Sequence, residues 1–438
     1  MDFLEALTWH DARLNHETST RSIAAGRVDG LSLNGMRELM ALLGDPQDEV
    51  PVIHITGTNG KGTVAAMVTS LLQAHGLTVG TYTSPHQNRV NERISRDGVA
   101  IPDEDLAEVF TGIAAIEPLL EVQPSWFEVV TAAAFRWFAE APVDVAVVEV
   151  GLLGRTDATN VVDAAVAVVT SVQGDHTDFA PGWELAVAGE KAGIISADSV
   201  AVIGAITPEL LGVFEAEGPA RLVQLGVDFG FSGDRVAIGG HVVDLQGLYA
   251  RYDEVFLPVH GRHQVANAAI AVAAVEAFFE RGLDPRVVAD GFAAMKLSGR
   301  FEILRHAPLV VLDGAHNPDA LMATARTLED EFAPAGTRIV VLGALAGRDA
   351  DRMVAAVSEV RPDLIICTSL EGDRGGDAAS LAAACDRRGI ARESVADPVV
   401  AVSRALAIAA EEDVVLITGS FRLLSPARAA ITAFASRN

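Results

Sequence analysis

Two cysteines in a chain of 438 residues cannot staple a fold. Cys367 and Cys385 show no metal-site spacing and no companions, which excludes a disulfide framework and favours a reducing compartment. Basic residues are scarce as well: 33 Lys and Arg stand against 59 Asp and Glu, for a formal charge of −26. Such a surface repels nucleic acid and anionic membranes, so neither is an expected partner. Any anionic substrate needs a local cluster of Lys, Arg, metal ions or helix N-termini. No stretch approaches about 20 uninterrupted apolar residues, so nothing is expected to span a membrane. The opening MDFLEALTWHDARLNHETS is acidic and mixed, without a basic-then-apolar signal region. The expectation is a soluble cytoplasmic protein.

Core material is plentiful, with 50% hydrophobic residues, and the length calls for two domains rather than one. Short β-branched runs alternate with Ala/Leu-rich stretches of helical period, the signature of an α/β fold with a parallel sheet. The clearest strands fall at 50–56, 143–150, 164–172 and 199–203, with a second set at 308–314, 338–345, 363–369 and 413–420. Helices are expected over 61–75, 103–116, 127–140, 264–281, 317–332 and 398–410. Between the two strand sets, residues 223–260 are rich in Gly and Val and read as short antiparallel strands. A hinge near MKLSGRFE divides a large domain, 1–296, from a smaller α/β domain, 297–438.

The segment GTNGKGT at residues 57–63 carries the chemistry most plainly. It departs from the common phosphate loop, G-x-x-x-x-G-K-[ST], because only Thr58 and Asn59 separate its first two glycines and Gly62 stands between Lys61 and Thr63. An ordinary strand-to-helix turn is the plainer reading. The context favours phosphate: a buried-type strand precedes the loop and an amphipathic helix follows it. Backbone amides can close around phosphates there, the helix terminus adds positive potential, and Lys61 neutralises charge. The hydroxyl of Thr63 is placed for Mg²⁺.

Other strand ends support this, since chemistry in a parallel sheet gathers at the carboxyl edge. VAVVEVG ends with Glu149, an acid on an otherwise apolar strand and a candidate metal ligand. The next strand runs into SVQGDHTD, which brings Asp175, His176 and Asp178 to the same edge. GEKAGII opens a possible helix at Lys191.

Taken together, HITGTNGKGT, TSPHQNRVNERIS, WFEVVTAAAFRWF, EVGLLGRTDATNVV, GDHTD, EKAGII, GRFE and DGAHNP resemble the folylpolyglutamate synthase and dihydrofolate synthase family, within the Mur-ligase superfamily. The resemblance covers nearly the whole chain in order. It implies a P-loop ATPase domain with a parallel sheet and a smaller Rossmann-like C-terminal glutamate-ligase domain. It also implies an ATP-dependent ligase that adds L-glutamate to a folate or pteroate carboxylate through an acyl phosphate, working as a monomer on small molecules.

Residue by residue, the resemblance implies that Asn59, Gly60, Lys61, Gly62 and Thr63 hold ATP. Asn267 would reach the adenine, Arg300 the phosphates and Asp313 the ribose. Thr63, Ser84 and Glu149 would serve a first Mg²⁺ and His176 a second, with Lys191 as a carbamylated lysine. Lys61, Glu149, His176 and Lys191 form the catalytic set. Phe127, Thr156, Asp157 and Ala158 would line the pterin, and His316 and Ser420 the incoming glutamate.

Some motifs depart from the family pattern. Leu153 stands where a glycine is usual, Gln173–Gly174 replaces Gly-Leu, and GSFRLL replaces a Gly-Ser-Leu-Tyr run. These put the identity of the acceptor in question, and a Mur-type ligase acting on another carboxylate is the alternative. A P-loop ATPase acting as a switch is a further rival; it predicts hydrolysis independent of any small acid.

Overall fold

The computed structural model describes residues 1–15, 32–175, 177, 179–295, 297–372 and 375–435. Two compact units emerge. The first comprises residues 1–237, 241–258 and 264–295; the second comprises 238–240, 259–263 and 296–438.

An eight-stranded sheet organises the first unit, in the order Val99–Ala100, Ile94–Arg96, Val79–Tyr82, Val145–Glu149, Val52–Thr56, Val166–Ser171, Val200–Ala205 and Arg221–Gln224. From Val79–Tyr82 onward all neighbours are parallel, while Ile94–Arg96 and Val99–Ala100 add an antiparallel edge. The central strands are buried along their whole length, which explains their continuous β-branched composition. Helices Phe3–Asp11, Asn34–Leu42, Asp103–Ile116 and Trp126–Glu140 share one core with Tyr82, Ala146 and Val148. Helix Trp183–Ala192 packs in a neighbouring core with Ala167, Val169 and Ile203. Residues 230–257 form the expected antiparallel piece: strands Gly230–Ala237, Gly240–Gln246 and Arg251–Leu257.

The second unit holds a six-stranded sheet in the order Glu302–His306, Leu309–Leu312, Val414–Thr418, Arg338–Leu342, Leu364–Cys367 and Arg392–Ser394. Only the first pair is antiparallel. Alternate residues of the same strands feed two cores. Val311, Val340 and Leu416 go to one, and Val310, Val341 and Ile417 to the other, so both faces are covered.

Each strand expected from the sequence is present, most of them trimmed by a residue or more while the one expected at 199–203 runs Val200–Ala205, and position 317–332 proves to be helix Pro318–Thr327 followed by a π turn, Leu328–Phe332. Two expectations need correction. Lys191 does not open a helix; it lies in the last turn of Trp183–Ala192, which begins after Gly182 in a left-handed conformation. The cysteines do have a companion, namely each other: their sulfurs are 3.9 Å apart in the second unit, both buried. Among the described residues no helix is long and apolar enough to cross a membrane.

Candidate functional site

The segment Gly57–Gly60 joins strand Val52–Thr56 to helix Lys61–Ala74 and is stitched to the end of the adjacent strand. Thr58 N donates to Ser171 O (2.9 Å), Asn59 N to Ser171 Oγ (3.1 Å), and Thr170 Oγ1 to Asn59 O (2.6 Å). This close approach requires glycine, because a Cβ at position 57 would lie 1.8 Å from Thr170 Oγ1. Gly60 caps the helix at φ +90°, where a Cβ would meet Asn267 Oδ1 at 2.7 Å. Asn267, expected at the adenine, thus packs against the loop and donates from Nδ2 to Gln264 Oε1 (2.9 Å). The first amides of the helix, at Lys61, Gly62 and Thr63, have no carbonyl one turn earlier to bind, and they crown a positive helix terminus. The Lys61 ammonium donates to Gly57 O (3.0 Å). Gln173, one of the departures, completes the support: its Oε1 accepts from Asn59 Nδ2 (2.7 Å) and its amide donates to Thr58 Oγ1 (3.0 Å).

Glu149 ends the strand beside Val52–Thr56, in register with Ile55, and its buried carboxylate accepts Ser84 N at 3.1 Å. Thr63 and Lys191 are buried as well. Burial pulls the Lys191 ammonium down to about 7, the Lys61 charge adds to the fall, and Asp175 opposes it, which places the three side chains within one electrostatic neighbourhood. Glu149, Thr63 and Ser84 present hard oxygen donors suited to a small divalent cation. Among the described residues no three His, Cys, Asp or Glu side chains converge as a ready-made metal site. His176 and Asp178 lie outside the described residues.

The loop after Glu149 is held by its own side chains. Asp157 Oδ2 accepts Leu152 N (2.7 Å), and Oδ1 accepts the amide (3.0 Å) and the hydroxyl (2.5 Å) of Thr159. Desolvation raises the carboxyl of Asp157 while these bonds oppose the rise. Ala158 is buried in the helical core, and Thr156 is half-buried. Phe127 is half-buried, with its ring where a Cβ on Gly151 would stand (2.4 Å from Cζ). Leu153 adopts φ +61°, the left-handed region in which glycine is the default, and its carbonyl accepts Thr56 Oγ1.

Sequence reasoning assigned no role to three residues that position this loop. Thr159 Oγ1 spends its proton on Asp157, so His54 must donate to it from Nε2 (2.9 Å). Full burial pulls His54 down to about 3 and keeps it neutral, with Nδ1 unpartnered. The signal was a histidine inside the apolar strand VPVIHIT. Arg155 binds the end of the Lys191 helix: its amide donates to Glu190 O (2.7 Å), its guanidinium donates to Gly189 O (3.0 Å), and it pairs with Glu217.

In the second unit, Asp313 Oδ2 accepts Phe301 N (2.8 Å), and Oδ1 accepts Ala315 N (3.0 Å) and Thr324 Oγ1 (2.7 Å). Arg300 therefore sits on a turn that Asp313 fixes, and its guanidinium carbon lies 4.4 Å from the centroid of the Phe421 ring. The His316 ring is 6.0 Å from the same ring. Ser420 is buried and caps the turn Phe421–Leu423 by accepting Arg422 N (3.2 Å).

Comparison with known proteins follows the same division. The Mur ligase middle domain matches residues 127–275, and the Mur ligase glutamate ligase domain matches residues 299–421. A dihydrofolate synthase/folylpolyglutamate synthase of Mycobacterium tuberculosis is 42% identical over 386 residues, covering 83% of this chain and 79% of that protein. The chain belongs to the dihydrofolate synthase/folylpolyglutamate synthase family. A crystal structure of M. tuberculosis folylpolyglutamate synthase with ADP and AMPPCP superposes with a TM-score of 0.88 at 38% identity, over 98% of each chain. A bifunctional folylpolyglutamate synthase/dihydrofolate synthase bound to Mn, AMPPNP and L-glutamate superposes at 0.82 and 31% identity, over 92% of this chain and 95% of that one. Family membership thus joins a parallel-sheet nucleotide-binding unit to a C-terminal α/β unit with the Mur ligase fold.

Proposed function

We propose that this protein is an ATP-dependent ligase that joins L-glutamate to the carboxylate of a folate or pteroate. The observation that carries the reading is the loop at 57–63, backed by a buried Lys191 in the electrostatic neighbourhood of Lys61 and by a buried Glu149 on the adjacent strand. A relative that binds Mn, AMPPNP and L-glutamate supports it.

The acceptor carboxylate attacks the γ-phosphorus of ATP; the bond from that phosphorus to the bridging oxygen breaks, and ADP leaves. The glutamate amine then attacks the acyl carbon of the resulting acyl phosphate. The C–N bond forms, the carbonyl carbon releases phosphate, and the amine gives up a proton. Positioning and charge neutralisation are the protein's share of this chemistry. Amides of residues 60–63 and the Lys61 ammonium cradle the β- and γ-phosphates. Arg300 supplies a second cation to them, Asn267 and Asp313 meet adenine and ribose, and His316 and Ser420 receive glutamate. Phe127 and the loop at Thr156, Asp157 and Ala158 face the pterin.

In this reading Thr63, Ser84 and Glu149 would hold one Mg²⁺ and His176 a second, and the metal would supply charge to screen the phosphate oxygens. A Lys191 lowered to about 7 offers a neutral amine to carbon dioxide, and its carbamate adds oxygen donors. Residues 1–296 form the ATP-binding domain and 297–438 the glutamate-ligase domain.

The test follows phosphate release from ATP and Mg²⁺ with L-glutamate, adding dihydropteroate in one assay and tetrahydrofolate in another. Mass spectrometry reads each product. One added glutamyl unit on either acceptor is the expected result, and on both it marks a bifunctional enzyme. Nucleotide binding without stimulation by either acceptor contradicts the folate reading and leaves a Mur-type ligase for another carboxylate.

A further inference from the structure

The second unit places an aromatic ring, the Phe421 of GSFRLL, beside Arg300, Gly314 and His316, and sequence reasoning had assigned that ring no role. Phe421 lies under the Arg300 guanidinium at 4.4 Å, within the range of a cation–π contact. It also fills the space that any side chain at position 314 would need, since a Cβ on Gly314 would stand 2.7 Å from Phe421 Cζ. His316 approaches from a third side, at 6.0 Å between ring centroids.

The backbone that carries Arg300 is fixed just as firmly. Gly299 and Phe301 flank it at φ +65° and +49°, both left-handed. Gly314 N donates to Gly299 O (2.8 Å), and Asp313 accepts Phe301 N (2.8 Å). Arg428 ties Glu302, which in turn accepts Gly299 N (2.7 Å). Holding Phe301 left-handed costs free energy, and such strain gathers where a neighbouring side chain must be aimed. With the backbone set, what remains to be held is the long side chain of Arg300, and the ring of Phe421 is one restraint on it.

We infer that Phe421 is a positioning residue that holds the Arg300 guanidinium in the geometry in which it meets the nucleotide phosphates. The inference rests on the reading of Arg300 as a phosphate contact. Phe421 itself need touch no substrate. The π face is what matters: an aliphatic side chain of similar size fills the space beside Gly314 but offers the cation nothing.

The experiment is a double-mutant cycle on the full-length protein, read by titration with AMPPNP and Mg²⁺ and by the split between KM for ATP and kcat. Phe421→Tyr keeps the face and should stay within about 2-fold of the parent. Phe421→Leu should weaken AMPPNP binding by about 5- to 10-fold and raise KM for ATP alike. In an Arg300→Ala background the same substitution should cost nothing further. Site-specific pentafluorophenylalanine at position 421 keeps shape and volume while removing the negative face; it should reproduce the loss even if Phe421→Leu folds poorly. A loss of equal size with and without Arg300, or unchanged affinity in both the leucine and the fluorinated proteins, overturns the inference. Because AMPPNP binding needs no acceptor, the cycle can succeed even where the folate reading fails.

Discussion

Two loops leave neighbouring strands of one sheet and solve the same problem by opposite means. The loop at 57–60 is shaped by glycine and by backbone bonds to Ser171 and Thr170, so the helix amides behind it stay open to a ligand. The loop at 151–160 is shaped by side chains: Asp157 and Arg155 bind backbone, the Thr159 hydroxyl binds Asp157, and the left-handed position holds Leu153 rather than glycine. Backbone amides are groups that every residue has, so that loop can give two of its four positions to glycine. An organic acceptor is met by a surface, and that surface must be built from side chains that are themselves held in place.

The largest expected effect breaks the first loop. Gly57→Ala drives a methyl into Thr170, and kcat/KM for ATP should fall by about 100-fold or more with folding retained. Steady-state kinetics with circular dichroism decides it. The second loop should break differently. Asp157→Asn keeps shape but replaces one accepting oxygen by a donor, losing at least one of three bonds and weakening the rest, costing about 2 kcal/mol of stability. KM for the acceptor should rise roughly 10-fold while KM for ATP stays put. An equal rise in both would erase the distinction between the loops.

Acid offers a third probe. His54 and His10 are lowered by burial to about 3 and about 4, below their ordinary value of 6.5. The unfolded chain therefore binds more protons than the folded one in that window. Stability is full above about pH 6.5 and is lost as pH falls toward the folded values, on the order of 2 kcal/mol from each histidine between pH 7 and 5. Urea unfolding at both pH values measures this, and His54→Gln should flatten the dependence by about half. The smallest effect is expected at Gln173→Leu, which removes one bond to Asn59 and should raise KM for ATP by about 3- to 5-fold.

The same contrast shows how much could be read in advance. Continuous β-branched runs made the parallel strands legible, and GTNGKGT made the first loop legible as a strand-to-helix junction because glycine and spacing carry it. Short strands such as Val79–Tyr82, with a Gly and a Thr, carry no such run and escaped. Side-chain roles in the second loop came from the family resemblance, which matches residue types position by position. Type does not tell whether a carboxylate faces a ligand or its own backbone, and Asp157 and Asp313 each accept three internal bonds. His54 and Phe421 act through neighbours distant in sequence, Thr159 and Arg300, and no local pattern announces such a pairing. Nor could spacing show that Cys367 and Cys385 touch, since only the packing of Ala378–Arg388 beside Leu364–Cys367 brings them together.

The central claim is that the acceptor carboxylate, and not water, attacks ATP. The most direct test supplies an acceptor whose carboxylate carries ¹⁸O and analyses the phosphate released in the presence of L-glutamate. Passage through an acyl phosphate transfers one labelled oxygen from carboxylate to phosphate for each amide bond made. Unlabelled phosphate, with both labels retained in the acceptor, would contradict the account.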